Sequence, residues 1–355
     1  MSKRNLIRAI IFIFVCVLTF FYLNKAFSLG EEDENKQVLN SFYAEEKNTL
    51  DGVYMGSSAA NRFWNAPRAY AQQGISIFSL STSDQPMVLF KYLIEEVEKS
   101  QDPAVYVLEM REVTESASEV KEEGIRRVTD SMRFSMNRKK MIDSAVEYAR
   151  LGDNGVDENK MNYYFPILKY HGRWQAEDLT SDDLLLRDKM QDTKGFFVSG
   201  TKSFQQVMQT PPQYYDGEES LSEDTEKLLE SLLNYCDTLD AEVLFVLSPF
   251  STQDPVKMGR MNKAVKLIED HGYTVLNFNT EEMAKKIGIN WDKDYYDNKH
   301  TNILGSTKYT DYLAQYLSTH YNLTDHRGDK TYQSWKEAYD YYLDYIAERK
   351  SAMQE

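Results

Sequence analysis

Apolar positions along the chain fall into two kinds of pattern, a long continuous run at the N-terminus and short runs alternating with helical periodicity beyond it. From Ala9 to Leu23, extended by Ile7, the sequence is almost unbroken in apolar side chains; Lys3, Arg4 and Arg8 flank it on one side and Lys25 on the other. A helix of about 17–25 such residues spans a bilayer, and positive charge on the N-terminal flank keeps that flank in the cytoplasm. Residues 1–28 are therefore expected to be a single-pass membrane anchor, with the rest of the chain outside the cytoplasmic membrane. The competing reading is a cleaved secretory signal, with Ala26 and Ser28 as the small residues of a cleavage site. Lys25 falls inside the approach to that site, and the run exceeds the usual ~7–15 residues.

Past a polar, acidic stretch at 29–48, expected to be a stalk, one logic repeats: a short β-branched run, a turn, then a longer amphipathic segment. Val53-Tyr54-Met55, Ile75 to Phe78, Val105 to Leu108, Val243 to Leu247 and Thr274 to Phe278 are the strands this predicts. Helical periodicity lies between and after them, around 59–72, 86–100, 221–239, 256–270 and 305–318. Strands separated by helices pair in parallel, so the fold class expected is α/β, a three-layer sandwich around a parallel five-stranded sheet of flavodoxin-like type. The domain is placed at 49–325. A stretch at about 115–210 breaks the rhythm and reads as an insertion, helical at first and then aromatic. Residues 326–355 carry aromatics at helical spacing, which predicts a terminal helix docked on the domain.

The 355 residues include 41 Lys and Arg against 56 Asp and Glu, a formal charge of −15. A surface this acidic repels a phosphate backbone, so no nucleic acid partner is expected. The two cysteines, Cys16 and Cys236, give no disulfide framework and no zinc cluster. No His pair has metal-ligand spacing and no glycine-rich loop follows a strand, so neither a metal nor any other cofactor is expected.

Ligands of an open α/β sheet bind beyond the carboxyl ends of its strands. After the first strand comes Gly56-Ser57-Ser58-Ala59, a sharp turn followed by hydroxyls at a helix start, which suits either helix capping or a nucleophile. After the last strand comes Asp297-Asn298-Lys299-His300, where a carboxylate three residues ahead can orient an imidazole. Together they have the chain order Ser, Asp, His of a hydrolytic triad. Among the other histidines, His271 and His320 fall at helix ends and His326 in a polar loop; only His171 competes with His300, and it has no carboxylate nearby in sequence.

These two blocks resemble the SGNH/GDSL hydrolase superfamily over about residues 49–320, the insertion excluded. Gly56-Ser57-Ser58-Ala59 stands where that family has Gly-Asp-Ser-Leu, and Asp297-Asn298-Lys299-His300 where it has Asp-x-x-His. The resemblance implies Ser58 as nucleophile, His300 as general base and Asp297 as the orienting carboxylate. The anchor and the segment Tyr170-His171-Gly172-Arg173-Trp174 look more narrowly like the membrane-anchored members that accompany membrane-bound O-acyltransferases, among them lipoteichoic acid D-alanylation and alginate O-acetylation proteins. The family's oxyanion Gly and Asn have no counterpart at Phe78 to Ser83 or Leu108 to Glu112. Ser81 is the substitute expected to donate its backbone N–H there, while Arg111 is read either as offering positive charge to an anionic group or as a surface ion pair with Glu109 or Glu112.

Two functions follow as expectations. One is an extracytoplasmic serine esterase or O-acyltransferase working on acyl esters of a cell-wall polymer or exopolysaccharide, with His171 and Trp174 facing substrate and a membrane-bound O-acyltransferase as a possible partner. The other is a non-catalytic anchored scaffold that binds polymer through aromatics such as Trp64, Tyr170 and Trp174.

Overall fold

The computed structural model describes residues 2–175, 179–198 and 200–352, without the side chains of His171 and Trp174. Its first element, α1 (Lys3–Ala26), is a helix of 24 residues, about 36 Å at 1.5 Å per residue, against a hydrocarbon core of about 30 Å. Its apolar residues from Leu6 to Tyr22 stand exposed, a length and composition shared by membrane anchors and signal sequences.

The centre is a parallel sheet of five strands, β1 (Gly52–Gly56), β2 (Ile77–Ser81), β3 (Val105–Glu109), β4 (Glu242–Leu247) and β5 (Thr274–Asn277), in the order β2-β1-β3-β4-β5. The α/β architecture expected from the alternation of periods is the one observed. Successive side chains of a strand point to opposite faces, and every residue of β1, β2 and β3 is buried, so helices cover both faces. Register runs from Gly52 opposite Ile77 and Val105 to Gly56 opposite Ser81. β2 starts two residues later than its apolar run and continues through Ser79 and Ser81, whose hydroxyls satisfy each other at 2.9 Å within the core.

The helical pattern around 59–72 is broken in two, α3 (Ser58–Phe63) and α4 (Ala66–Gln73). Asn65 caps α4 by accepting from the Arg68 N–H, and Pro67 sits in its first turn where no donor is needed. The other connecting helices are α5 (Phe90–Val97), α10 (Glu223–Cys236), α11 (Pro255–His271), a short α12 (Glu281–Ile287) and α13 (Ile303–His320). Between β3 and α10 the insertion contributes α6 (Glu122–Thr129), α7 (Met136–Arg150), α8 (Lys160–Tyr164) and α9 (Ser181–Leu185). The terminal helix α14 (Gln333–Ala352) buries Trp335, Ala338 and Tyr342, with Trp335 against Tyr70 of α4. His326 ahead of it pairs with Asp51 at 2.9 Å, fastening this segment to the start of β1.

Residues 29–48 differ from the expected stalk. They form α2 (Glu34–Ala44), packed on β2 with Val38, Leu39 and Phe42 in the core. Its acidic start misled because charge normally marks solvent, whereas Glu31 is buried in an ion pair with Lys36 at 2.7 Å. Trp64, expected as a surface for sugars, is fully buried, stacked on Tyr54 with its indole N–H donated to the Ile77 carbonyl. Tyr170 is half-buried and donates its hydroxyl to Asp130.

Candidate functional site

Strand order reverses direction at β1, which has β2 on one side and β3 on the other, so the crevice at a switch point opens beyond the carboxyl ends of β1 and β3. Ser58 begins α3 immediately past β1. Gly56 makes this possible: a Cβ there would lie 2.7 Å from the Cβ of Glu109, so only glycine lets the end of β1 approach β3 this closely. Ser57 caps α3, as its side-chain oxygen accepts from the Ala59 N–H, and its hydroxyl lies 3.3 Å from Glu112. Capping thus falls to Ser57, which leaves the Ser58 hydroxyl for another partner.

Asp297 to His300 form the tip of a loop between α12 and α13, closed by an antiparallel bridge of Tyr295 with Thr301. Tyr295 is wholly buried, stacked on Trp291, and donates its hydroxyl to the Pro249 carbonyl. Asn302 caps α13 through the N–H groups of Leu304 and Gly305 while its amide donates to the carbonyls of Gln205 and Lys293. Thr301 donates to the Arg62 carbonyl of α3, tying this loop to the serine's own helix.

Ser58 Oγ lies 2.7 Å from His300 Nε2, and His300 Nδ1 lies 2.9 Å from one Asp297 oxygen and 3.1 Å from the other. Burial disfavours charge on Asp297, but hydrogen bonding from His300, its charge and the backbone N–H groups of Lys299 and His300 outweigh that, holding the carboxyl below its ordinary range. An ionised carboxylate only accepts, so Nδ1 carries the proton and Nε2 presents its lone pair to Ser58. The His300 imidazole is itself shifted down: burial disfavours the imidazolium more than Asp297 favours it, and Arg111 and Arg62 add in the same direction. It is therefore neutral near pH 7, the form a general base requires. Side-chain exposure is 19% for His300 and 43% for Asp297, so the rim is open to a large substrate.

Of the remaining sequence-derived residues, Arg111 is buried rather than offered to an anion. Its guanidinium is held between Phe63 and Phe250 and donates to the Lys299 carbonyl, to Ser248 Oγ and to the Pro249 carbonyl. Its target is the backbone beside His300, which makes it a positioning residue. Ser81 ends β2 in the core; its hydroxyl is spent on Ser79 and its carbonyl accepts a long 3.5 Å bond from Asn61. The side chains of His171 and Trp174 lie outside the described residues; Arg173 of the same turn donates to the Ser28 carbonyl and to Asp183, which puts that turn beside the exit of α1. Among the described residues no group of three His, Cys, Asp or Glu side chains is arranged to hold a metal ion.

Sequence reasoning missed the supports of this site. The last arm of the insertion runs along the segments that carry Ser58 and His300: Phe197 N–H donates to the Asn61 carbonyl, Val207 N–H to the Tyr295 carbonyl and Gln209 N–H to the Trp291 carbonyl. These are backbone contacts of ordinary residues and carry no motif. Asn302 three residues before Gly305 was a legible signal, an N-cap ahead of a glycine whose absent Cβ would meet the Asp294 carbonyl at 2.4 Å. In comparisons with known proteins, the chain matches no family model and no curated relative.

Proposed function

We propose that this protein is an extracytoplasmic, membrane-anchored serine esterase or O-acyltransferase whose substrate is an acyl ester of a cell-wall polymer or exopolysaccharide, in the manner of the SGNH/GDSL hydrolases its motifs resemble. The observation that carries the reading is the 2.7 Å approach of Ser58 Oγ to an imidazole held by a carboxylate on its far side, from segments 242 residues apart.

In this reading the Ser58 proton passes to His300 Nε2 as Oγ attacks the acyl carbonyl, and the tetrahedral intermediate collapses with the proton delivered to the leaving alcohol. An acyl group remains on Ser58. His300 then takes a proton from water or from a polymer hydroxyl, which attacks and frees the serine. The Ser58 N–H, in the first turn of α3, has no carbonyl of its own helix to serve and is the donor this reading assigns to the developing oxyanion. With α1 in the bilayer, tethering raises the site's effective concentration at a membrane-embedded acyl donor, which favours transfer and a membrane-bound O-acyltransferase as partner.

Turnover of p-nitrophenyl acetate by the full chain tests the chemistry. Wild type should release nitrophenol with a burst of one acyl group per chain and Ser58→Ala should not. Equal rates for the two would remove the enzyme reading and leave the anchored scaffold.

A further inference from the structure

Anchored or not in other respects, α1 does not leave the domain freely. Phe20 meets Phe165 edge-on at 5.2 Å, Phe21 meets Phe134 at 6.1 Å, the Tyr22 hydroxyl donates to the Leu184 carbonyl, and Lys25 pairs with Asp188 at 2.9 Å. All four partners belong to the insertion. Phe20, Phe21 and Tyr22 lie within the apolar run, ahead of its first closing charge, so whatever touches them stands at the depth where acyl chains give way to headgroups. Around that junction the insertion leaves large apolar side chains bare: Phe134 is 67% exposed and Leu185 58%, with Leu168 and Leu184 beside them.

We infer that the insertion is a second membrane contact, seated on the outer leaflet with Phe134, on the loop between α6 and α7, and Leu185, at the end of α9, entering the headgroup–acyl boundary. The inference rests on the anchored reading of α1. Its occupant is phospholipid rather than a partner protein because the patch is continuous with the apolar face of α1, which has the bilayer as its solvent. Charge agrees. The chain carries −15 overall, and a cavity of about 300 Å3 between Phe21 and Phe134 is lined by both signs, with Lys25 paired to Asp188, Lys36 to Glu31 and Arg138 to Asp130; Arg133, over the Tyr43 ring, has no ion pair among the described residues and is the cation left for a lipid phosphate. Cations at this depth meet lipid phosphates. Because the other arm of the insertion is bonded to Asn61 and Tyr295, seating it fixes the height of the Ser58 crevice above the bilayer.

Depth-dependent quenching tests this on the full chain, reconstituted in phosphatidylcholine–phosphatidylglycerol vesicles. In a Cys16→Ser background, with Cys236 left in place because it is buried in the core and shielded from label, an environment-sensitive fluorophore is placed by Phe134→Cys, Leu185→Cys or, as a remote exposed control, Lys227→Cys. The first two should emit to the blue of the third and lose intensity to shallow doxyl lipids, while only the third loses it to aqueous iodide. Labels at 134 and 185 that behave like 227, on chains that resist alkaline carbonate extraction, would overturn the inference and leave the anchor intact. Extraction by carbonate would overturn the anchor, and the inference with it. Since both labelled residues are exposed, the substitutions do not endanger folding.

Discussion

Replacing Asp297 by Asn probes the site at the atom where the account is most specific. One Asp297 oxygen accepts the backbone N–H groups of Lys299 and His300, both at 2.8 Å, and the other sits 2.9 Å from His300 Nδ1. Asn keeps the first role with its carbonyl oxygen, so the turn survives, and it then presents its N–H2 to Nδ1. Imidazole responds by moving its proton to Nε2, where it faces Ser58 and cannot accept. The loss expected for this tautomer error is about 10,000-fold in kcat, or about 5.4 kcal/mol of transition-state stabilisation. Stability should fall by no more than about 1 kcal/mol, since the side chain is 43% exposed and its backbone acceptor is retained. The pH profile adds a sign. Burial lowers the His300 imidazole while Asp297 opposes it, so removing the carboxylate lowers it further. The acid limb of kcat/KM, already below the ordinary histidine range in wild type, should shift to lower pH in the variant. Ester turnover across pH 4–8, with a thermal melt alongside, reads both quantities. A variant within tenfold of wild type, or an acid limb displaced upward, would refute the reasoning.

Three further outcomes are expected. Lys36→Met should cost about 3–5 kcal/mol in urea unfolding, because it strands Glu31 as a buried charge; a loss under 1 kcal/mol would restore the stalk reading of 29–48. Arg111→Lys replaces a fork by a point donor, forfeits at least one bond among Lys299, Ser248 and Pro249, and should destabilise by about 1.5–3 kcal/mol while lowering kcat about 10-fold or more at constant KM; a change confined to KM would mean that Arg111 touches substrate instead. Burial, then the neighbouring charge of Glu112, holds the Glu115 carboxyl well above its ordinary range, so the native state keeps a proton there that the unfolded chain gives up. Its contribution to stability is present below the ordinary glutamate value and declines as pH rises past it, and Glu115→Gln should flatten that decline in melts taken from pH 5 to 9.

What the sequence made legible was what periodicity and local chemistry encode. The strands were found because β-branched runs such as Val105 to Leu108 are bounded by turns, and the chain order of Ser58, Asp297 and His300 could be matched to positions after strands. Position past β3 also located Arg111 near the site but not its direction, since burial against Phe63 and Phe250 depends on two segments distant in the chain, one before it and one after. α2 escaped notice because Glu31, Glu32, Asp33 and Glu34 read as solvated, although Asp33 is the N-cap of that helix and Glu31 has Lys36 as a partner. Ser79 and Ser81 hid the second half of β2 in the same way: polar residues signal loops until a partner within the core satisfies them. Least legible of all was the role of the insertion, whose contacts with Asn61, Tyr295 and α1 rest on main-chain atoms and scattered aromatics.

The central claim is that Ser58 is a nucleophile activated by His300. Incubation of the native full chain with a fluorophosphonate, followed by intact mass and peptide mapping, addresses it directly. The account predicts a single adduct on Ser58, abolished by Ser58→Ala and strongly slowed by His300→Ala. An adduct on any other residue, or a native chain that takes up no probe while Ser58 Oγ and His300 Nε2 remain in contact, would contradict it.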